Sequence, residues 1–265
     1  FDGHGARDNL GFNGKFKVDK TKYASIYTPV DWESEIAERS KLPPDAKLEL
    51  EYVYGYRADD KVTSPNLYYT ASREVVYFTA GTGVVFNKES KAQRFFLGHT
   101  DDVVSLALDP TRTIVATGQV KSKGASPPFV CVWDVNSMQE LQRINLKKHD
   151  GDPAVTALSF SNDGTLLVCI QRDIDHHITV WHWTTGTKLM EDKTLKGPAP
   201  GGIPMIFGIS WNTFERTDPT REMEKFDFCT YGVKWLQFWR LPKESKGGAV
   251  RFNRTKMEKL GNFTD

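Results

Sequence analysis

Three runs of β-forming residues end alike, at Val132-Trp133-Asp134, Val180-Trp181-His182 and Phe238-Trp239-Arg240, and Phe86 in Val84-Val85-Phe86-Asn87 takes the corresponding place one unit earlier. The intervals between Phe86, Trp133, Trp181 and Trp239 are 47, 48 and 58 residues, the last lengthened by a polar, charged insertion over residues 212–226. A repeat of this period restricts the chain to a stacked array of small units, each burying its apolar faces against its neighbours. Strand candidates fill the units at 75–80, 84–87, 94–97, 103–108, 113–118, 129–134, 141–144, 155–160, 166–170, 177–183 and 188–190. Turn signals such as Asn162-Asp163-Gly164 and Thr185-Gly186 separate them, and nothing long and helical intervenes. Only residues 31–39 (DWESEIAER) suggest a short helix.

Between Phe86 and Trp133 the order is Gly98-His99, a strand, Asp109-Pro110, a second strand, then the strand ending in Trp133-Asp134. That order resembles a WD repeat, whose Gly-His and Trp-Asp dipeptides bracket a four-stranded propeller blade. The next unit has a displaced His149 and Trp181-His182, and the third has no Gly-His, so the blades are atypical. In the WD pattern a turn aspartate before the third strand ties the blade to its histidine. Asp173 or Asp175 can serve in the second of these blades, whereas the first carries the basic insertion 121–124 there.

Ahead of the repeats lies KLELEYVYGYRADD, residues 47–60. Leu48, Leu50, Tyr52, Tyr54 and Tyr56 alternate with Glu49, Glu51, Val53, Gly55 and Arg57, which predicts a strand with one buried face carrying the tyrosines. Together with Leu42-Pro43-Pro44, this stretch resembles the HELP motif of echinoderm microtubule-associated protein-like proteins. Asn66-Leu67-Tyr68, the run from Glu74 to Phe78, Leu97-Gly98-His99-Thr100-Asp101-Asp102 and Ala116-Thr117-Gly118-Gln119 resemble that family's first blades in the same order. Tyr52 stands where the family usually has tryptophan, and Ala58 where a glycine commonly follows the arginine. The resemblance implies an all-β fold, a WD-repeat-type β-propeller that is atypical and incomplete in this stretch of chain. It also implies association with tubulin or microtubules, no enzymatic activity and no cofactor. The expected organisation is an extended N-terminal leader (1–44), the HELP segment and first blade strands (45–97), propeller blades (98–241) and a connection toward a following blade (242–265).

Composition narrows the partners. Lys plus Arg number 35 against 34 Asp plus Glu, so no overall basic field points to nucleic acid or an anionic membrane. No apolar run reaches the roughly 20 residues that span a bilayer. Cys131, Cys169 and Cys229 are few and far apart, which fits reduced core thiols and a cytoplasmic protein, and the resemblance implies the cytoskeleton within that compartment. The Asn-x-Thr matches at Asn253 and Asn262 are then chance occurrences.

Candidate metal and catalytic residues reduce to structure. His176 and His177 are adjacent, so on a strand they face opposite ways, and no ligand set completes around them. His99 reads as a blade histidine, and Gly81-Thr82-Gly83 as a hairpin turn without the third glycine or helix of a nucleotide loop. Candidate partner-binding residues are Arg57, Asp59 and Asp60 at the polar end of the HELP strand, and Lys121 and Lys123 in the loop 119–128 (QVKSKGASPP). Lys15, Lys17, Lys20 and Lys22 add a basic leader. Such loops and arms are where a rigid scaffold usually binds. The loops 195–204 and 212–226 share that standing. An arm of this kind suits a protein laid along a microtubule lattice, as in a ciliary doublet among other axonemal proteins. A general propeller adaptor for a different protein is the rival reading.

Overall fold

Runs of Val, Ile, Phe and Thr with period-2 alternation fold here into antiparallel meanders. The computed structural model describes residues 12–17, 22–27, 48–57, 65–120, 127–151, 154–194, 206–213, 227–233 and 235–241, and every regular element among them is a strand. Two units are distinguished, residues 1–51 and 52–265. In the first, β1 (Phe12–Lys17) pairs antiparallel with β2 (Tyr23–Tyr27), so the described part of the leader is a two-stranded ladder. The suggested helix at 31–39 lies outside the described residues.

The second unit holds four sheets. The first blade is β3 (Leu67–Tyr69), β4 (Val75–Thr79), β5 (Thr82–Phe86) and β6 (Gln93–Phe96). Next come β7 (Val103–Leu108), β8 (Ile114–Gln119), β9 (Phe129–Asp134) and β10 (Glu140–Asn145). The third has β11 (Val155–Phe160), β12 (Leu166–Gln171), β13 (His177–His182) and β14 (Thr187–Lys193). The fourth shows β15 (Ile206–Trp211), β16 (Phe228–Gly232) and β17 (Trp235–Trp239). Each sheet is ordered as a simple meander, and no closed ring is formed among the described residues. The register shifts at the start of β7, β11 and β15, between Val103 and Ser105, Val155 and Ala157, and Ile206 and Gly208. One bulge repeated at one place shows the repeat in the backbone as well as in the residues.

The core sits between sheets. Val76, Phe78, Val85 and Phe96 of the first blade pack with Leu106, Val115, Cys131 and Trp133 of the second. The second meets the third through Ala116, Val130, Val132, Val155 and Leu167, and the third meets the fourth through Val168, Ile178, Val180, Phe228 and Trp239. Strands with sheet on both sides are therefore apolar at nearly every position, whereas β10 and β14 at the outer edge keep many exposed residues.

Backbone approach at the second joint needs a glycine. A Cβ on Gly118 would lie 2.6 Å from Ser105 Oγ and 2.6 Å from both Val155 Cβ and Cγ1. All three atoms belong to buried side chains, and Ser105 Oγ also donates to the Val155 carbonyl. Gly118→Ala is expected to lower stability by about 1–3 kcal/mol, the usual range for overpacking. A urea unfolding midpoint unchanged by that substitution would show that the two blades can part by several tenths of an ångström without loss.

Two expectations are corrected. Residues 48–57 form no strand, and their tyrosines are not a buried face: Tyr54 is 94% exposed and Tyr56 47%. Leu48 is fully exposed as well. The physical reason is the lack of a neighbouring backbone to pair with, since the segment is held largely by side chains reaching to it. Conversely, β3 and the pair β15–β16 were not among the strand candidates. β3 has only three residues, and β15 and β16 flank the long insertion at 212–226 that breaks the period.

Candidate functional site

The HELP segment is fastened to the first blade by two amide side chains. The Val53 N–H donates to Gln93 Oε1 at 2.7 Å, and Gln93 Nε2 donates back to the Val53 carbonyl at 2.9 Å, a side-chain imitation of a strand pair. Asn66, itself buried, accepts from the Tyr56 hydroxyl and donates to the Arg57 carbonyl at 2.6 Å. Between these anchors the Val53 side chain packs on a cluster of Val75, Tyr77, Val84, Phe86 and Phe95. Tyr56 meets Tyr77 edge to face with centroids 5.9 Å apart, and Tyr52 lies 4.8 Å from Tyr54. Burial holds the Tyr77 hydroxyl above its ordinary pKa, and the nearby Tyr52 adds to the effect. The result is an aromatic surface with Tyr54 foremost. Gln93 and Asn66 were missed by sequence reasoning because a single polar residue at a strand edge carries no periodic signal.

Arg57 was expected to point outward. Its side chain is instead only 19% exposed, donates from Nη1 to the Val103 carbonyl at 3.2 Å and lies 3.8 Å from Asp102. A guanidinium spent on tying HELP to the start of β7 is chiefly a structural anchor. Asp59, Asp60, Lys20, Lys121 and Lys123 lie outside the described residues. Lys15 and Lys17 fall in β1 opposite Ser25 and Tyr23, and Lys22 is exposed just before β2. The structure thus brings none of the expected binding residues of the blades into one cluster among the described residues.

His99 is a blade histidine, as its Gly-His setting predicts. Gln119 Oε1 accepts from Nδ1 at 2.9 Å, which leaves Nε2 to accept the Thr117 hydroxyl at 2.7 Å, and Thr117 Oγ1 accepts the indole N–H of Trp133 at 3.0 Å. Gln119, at the end of β8, takes the acceptor role that a WD blade gives to its turn aspartate. Neutral glutamine supplies the acceptor without the charge, and burial depresses the His99 pKa to about 4. Phe129 stacks on the imidazole with centroids 5.5 Å apart, and the third blade repeats this contact between His149 and His177 at 3.5 Å. His149 therefore holds the displaced blade-histidine position. Of the two aspartates considered there, buried Asp173 accepts from Nδ1 of His177, the ring stacked on His149, at 2.8 Å, and so reaches the blade histidine only through that ring, while Asp175 pairs with Lys193.

The tryptophan bond shows how the blades tolerate exchange. Trp133 and Trp239 donate to Thr117 and Thr230 on the preceding strand, whereas Trp181 donates to Thr179 on its own strand. Registers explain the difference: Thr117 pairs with Cys131, and the corresponding pair in the third blade is Cys169 with Thr179. Thr and Cys have traded strands, and the indole follows the hydroxyl. All three cysteines are free thiols, and burial raises the pKa of each. Among the described residues no group of three or more His, Cys, Asp or Glu is arranged to hold a metal.

Comparison with known proteins matches residues 92–262 to the echinoderm microtubule-associated protein first beta-propeller and residues 43–84 to the HELP motif. The chain belongs to the echinoderm microtubule-associated protein family. Human echinoderm microtubule-associated protein-like 2 is 34% identical over 225 residues, covering 83% of this chain and 31% of the relative. The Xenopus laevis protein-like 4 is 38% identical over 174 residues, 64% of this chain and 18% of the relative. Human protein-like 1 is 37% identical over 174 residues, with coverage of 64% and 21%. The chain thus spans less than a third of the length of these curated relatives. The WD-like blades, the HELP segment and the all-β class expected from the sequence agree with this family.

Proposed function

We propose that this chain is the HELP segment and first-propeller portion of a non-catalytic microtubule-associated protein that binds tubulin in the cytoplasmic cytoskeleton. The observation that carries the reading is the pairing, in order on one chain, of the HELP motif with the family's first propeller. The blades supply a rigid scaffold, and the binding is assigned to what projects from it. Lys121 and Lys123 offer cations to the acidic surface of tubulin, with Asp59 and Asp60, which follow Arg57 in the sequence, as secondary contacts. The leader, with Lys15, Lys17, Lys20 and Lys22, lies along the lattice, in a ciliary doublet beside other axonemal proteins. A two-stranded ladder such as β1–β2 is marginal by itself in water, so a surface to lie on suits it. Tyr23, 64% exposed, is available to that surface.

Cosedimentation with stabilised microtubules tests this. The wild-type chain is expected to pellet, with apparent affinity falling as salt is raised from 50 to 200 mM, because exposed charge pairs are screened over about 8–10 Å. Lys121→Glu with Lys123→Glu, and deletion of residues 1–22, should each weaken pelleting by about threefold to tenfold. A wild-type chain that stays in the supernatant at low salt sinks the proposal and favours an adaptor for another protein.

A further inference from the structure

In a meander, the turn between first and second strands and the turn between third and fourth strands lie at the same end of the sheet. At that end every described turn of the first three blades holds one residue at positive φ. In the first-to-second turns these are Arg73 at 62°, Arg112 at 60° and Gly164 at 74°. In the third-to-fourth turns they are Lys91 at 60°, Met138 at 58° and Gly186 at 66°. The turns correspond: the N–H of Arg73, Arg112 and Gly164 donates to the carbonyl of Thr70, Asp109 and Ser161 at 3.1, 3.0 and 2.9 Å. Left-handed backbone favours glycine and strains a side-chain-bearing residue. The third blade uses glycine at both places, while the first two put a cation at three of their four.

The acids of the same turns do not offset these cations. Asp109 is buried and accepts from the N–H groups of Thr111, Thr113 and Ile114 at 3.0, 3.0 and 2.8 Å. Asp134 is turned onto the N–H groups of Asn136 and Ser137 at 3.0 and 2.7 Å. Glu74, also buried, is held by both terminal nitrogens of Arg94 at 2.9 and 2.8 Å. Exposed at this end of the first two blades are Arg73, Lys88, Lys91 and Arg112, with Glu89 as the one exposed acid of their turns, while Asp163 is exposed in the third. None of the four cations meets a carboxylate among the described residues; Lys88 instead stacks on Tyr69, 4.7 Å from the ring centroid. A 3.0 Å bond from the Ala71 N–H to the Arg112 carbonyl joins the two blades here, so Arg73 and Arg112 stand on adjoining turns.

We propose that the turn end of the first two blades is a docking surface for an acidic polypeptide, whose carboxylates meet Arg73, Lys88, Lys91 and Arg112. Retaining strained cations where glycine serves the fold equally well is explained by a ligand that needs their charge. Guanidinium groups on adjoining turns suit carboxylates, which they bind bidentately. Naming tubulin's acidic surface as the natural partner rests on the proposed function, but the acidic-peptide chemistry does not.

Strain makes the test clean, because glycine at these three positions removes charge without removing a fold-supporting contact. Arg73→Gly, Lys91→Gly and Arg112→Gly combined in the full chain should leave the thermal midpoint unchanged or raised. The probe is a labelled short poly-L-glutamate peptide at low salt. Its affinity is expected to fall about tenfold in the triple variant, since three exposed charge contacts are removed. Equal peptide affinity for variant and wild type overturns the proposal, as does equal wild-type affinity for a dT oligonucleotide of matching charge. Microtubule pelleting separates the two readings. If the peptide discriminates while microtubules bind neither form, tubulin is not the partner and the docking surface stands. If microtubules bind both forms alike and the peptide binds neither, the surface falls and the microtubule function stands.

Discussion

Trp133→Ala is expected to lower the unfolding free energy by about 3–5 kcal/mol, the range for truncating a buried large aromatic. The ring is completely buried and lies parallel to Phe96 of the first blade, centroids 4.8 Å apart and 3° from coplanar. Its indole N–H donates to Thr117, and a Cβ on Gly83 would come within 2.8 Å of its Cζ2. Removal therefore opens a cavity at the joint of two blades and strands one end of the Thr117–His99 relay. Trp181→Ala makes the comparison decisive. Trp181 occupies the same position in the repeat, but it is only partly buried and donates to Thr179 on its own strand. Its truncation should cost about half as much or less, in proportion to the apolar area kept from water. Urea unfolding of both variants checks the pair, and equal losses would mean that the tryptophan acts within its own blade rather than between blades. Trp133→Phe should recover most of the packing but not the hydrogen bond.

This contrast also marks what the sequence could and could not disclose. The spacing of Phe86, Trp133, Trp181 and Trp239 exposed the blades, because each tryptophan position repeats a packing requirement imposed by a neighbouring sheet. Asn87 and Asp134 show the same: each accepts two backbone N–H groups in the turn that follows, so a repeated acceptor accompanies the repeated aromatic. The strands 103–108, 129–134 and 155–160 fell where predicted because both their faces are largely buried and β-forming residues fill them between turn signals. The HELP segment was read less well. Its alternation is that of a half-buried strand, yet alternation states only that a face could be buried and not that a backbone partner exists. Gln93 and Asn66 replaced that partner with side-chain amides, which no period announces. Arg57 was misplaced for a related reason: a charge at a strand end usually faces water, but the Val103 carbonyl at the start of β7 lies within its reach. Gln119 likewise performs the aspartate's role from a position on β8 instead of from the turn.

Burial of His99 gives the fold a pH dependence. The His99 pKa falls from its ordinary value of 6.5 to about 4, first because the imidazole is buried and further because Arg143 is near, with Gln119 and Glu140 acting in the opposite sense. The folded state thus binds the proton less readily than the unfolded chain does. Stability from His99 is complete above pH 6.5, is lost as pH falls through the window from 6.5 to about 4, and changes no further below it. The whole swing amounts to about 3 kcal/mol at 1.36 kcal/mol per pKa unit. Geometry gives the same sign: protonation converts Nε2 from acceptor to donor, and Thr117 must then turn its own proton toward the Cys131 carbonyl at 3.5 Å. His149 and His176 are also depressed by burial, so the wild-type profile sums several groups of one sign. His99→Gln isolates the relevant part, because it keeps a polar side chain and removes the titration. Urea unfolding at intervals from pH 7.5 to 4 should show the wild type losing about 3 kcal/mol more than the variant across that range. Parallel profiles for the two proteins would mean that His99 is solvated enough to take up its proton in place, and that the Thr117–Trp133 relay does not depend on a neutral imidazole.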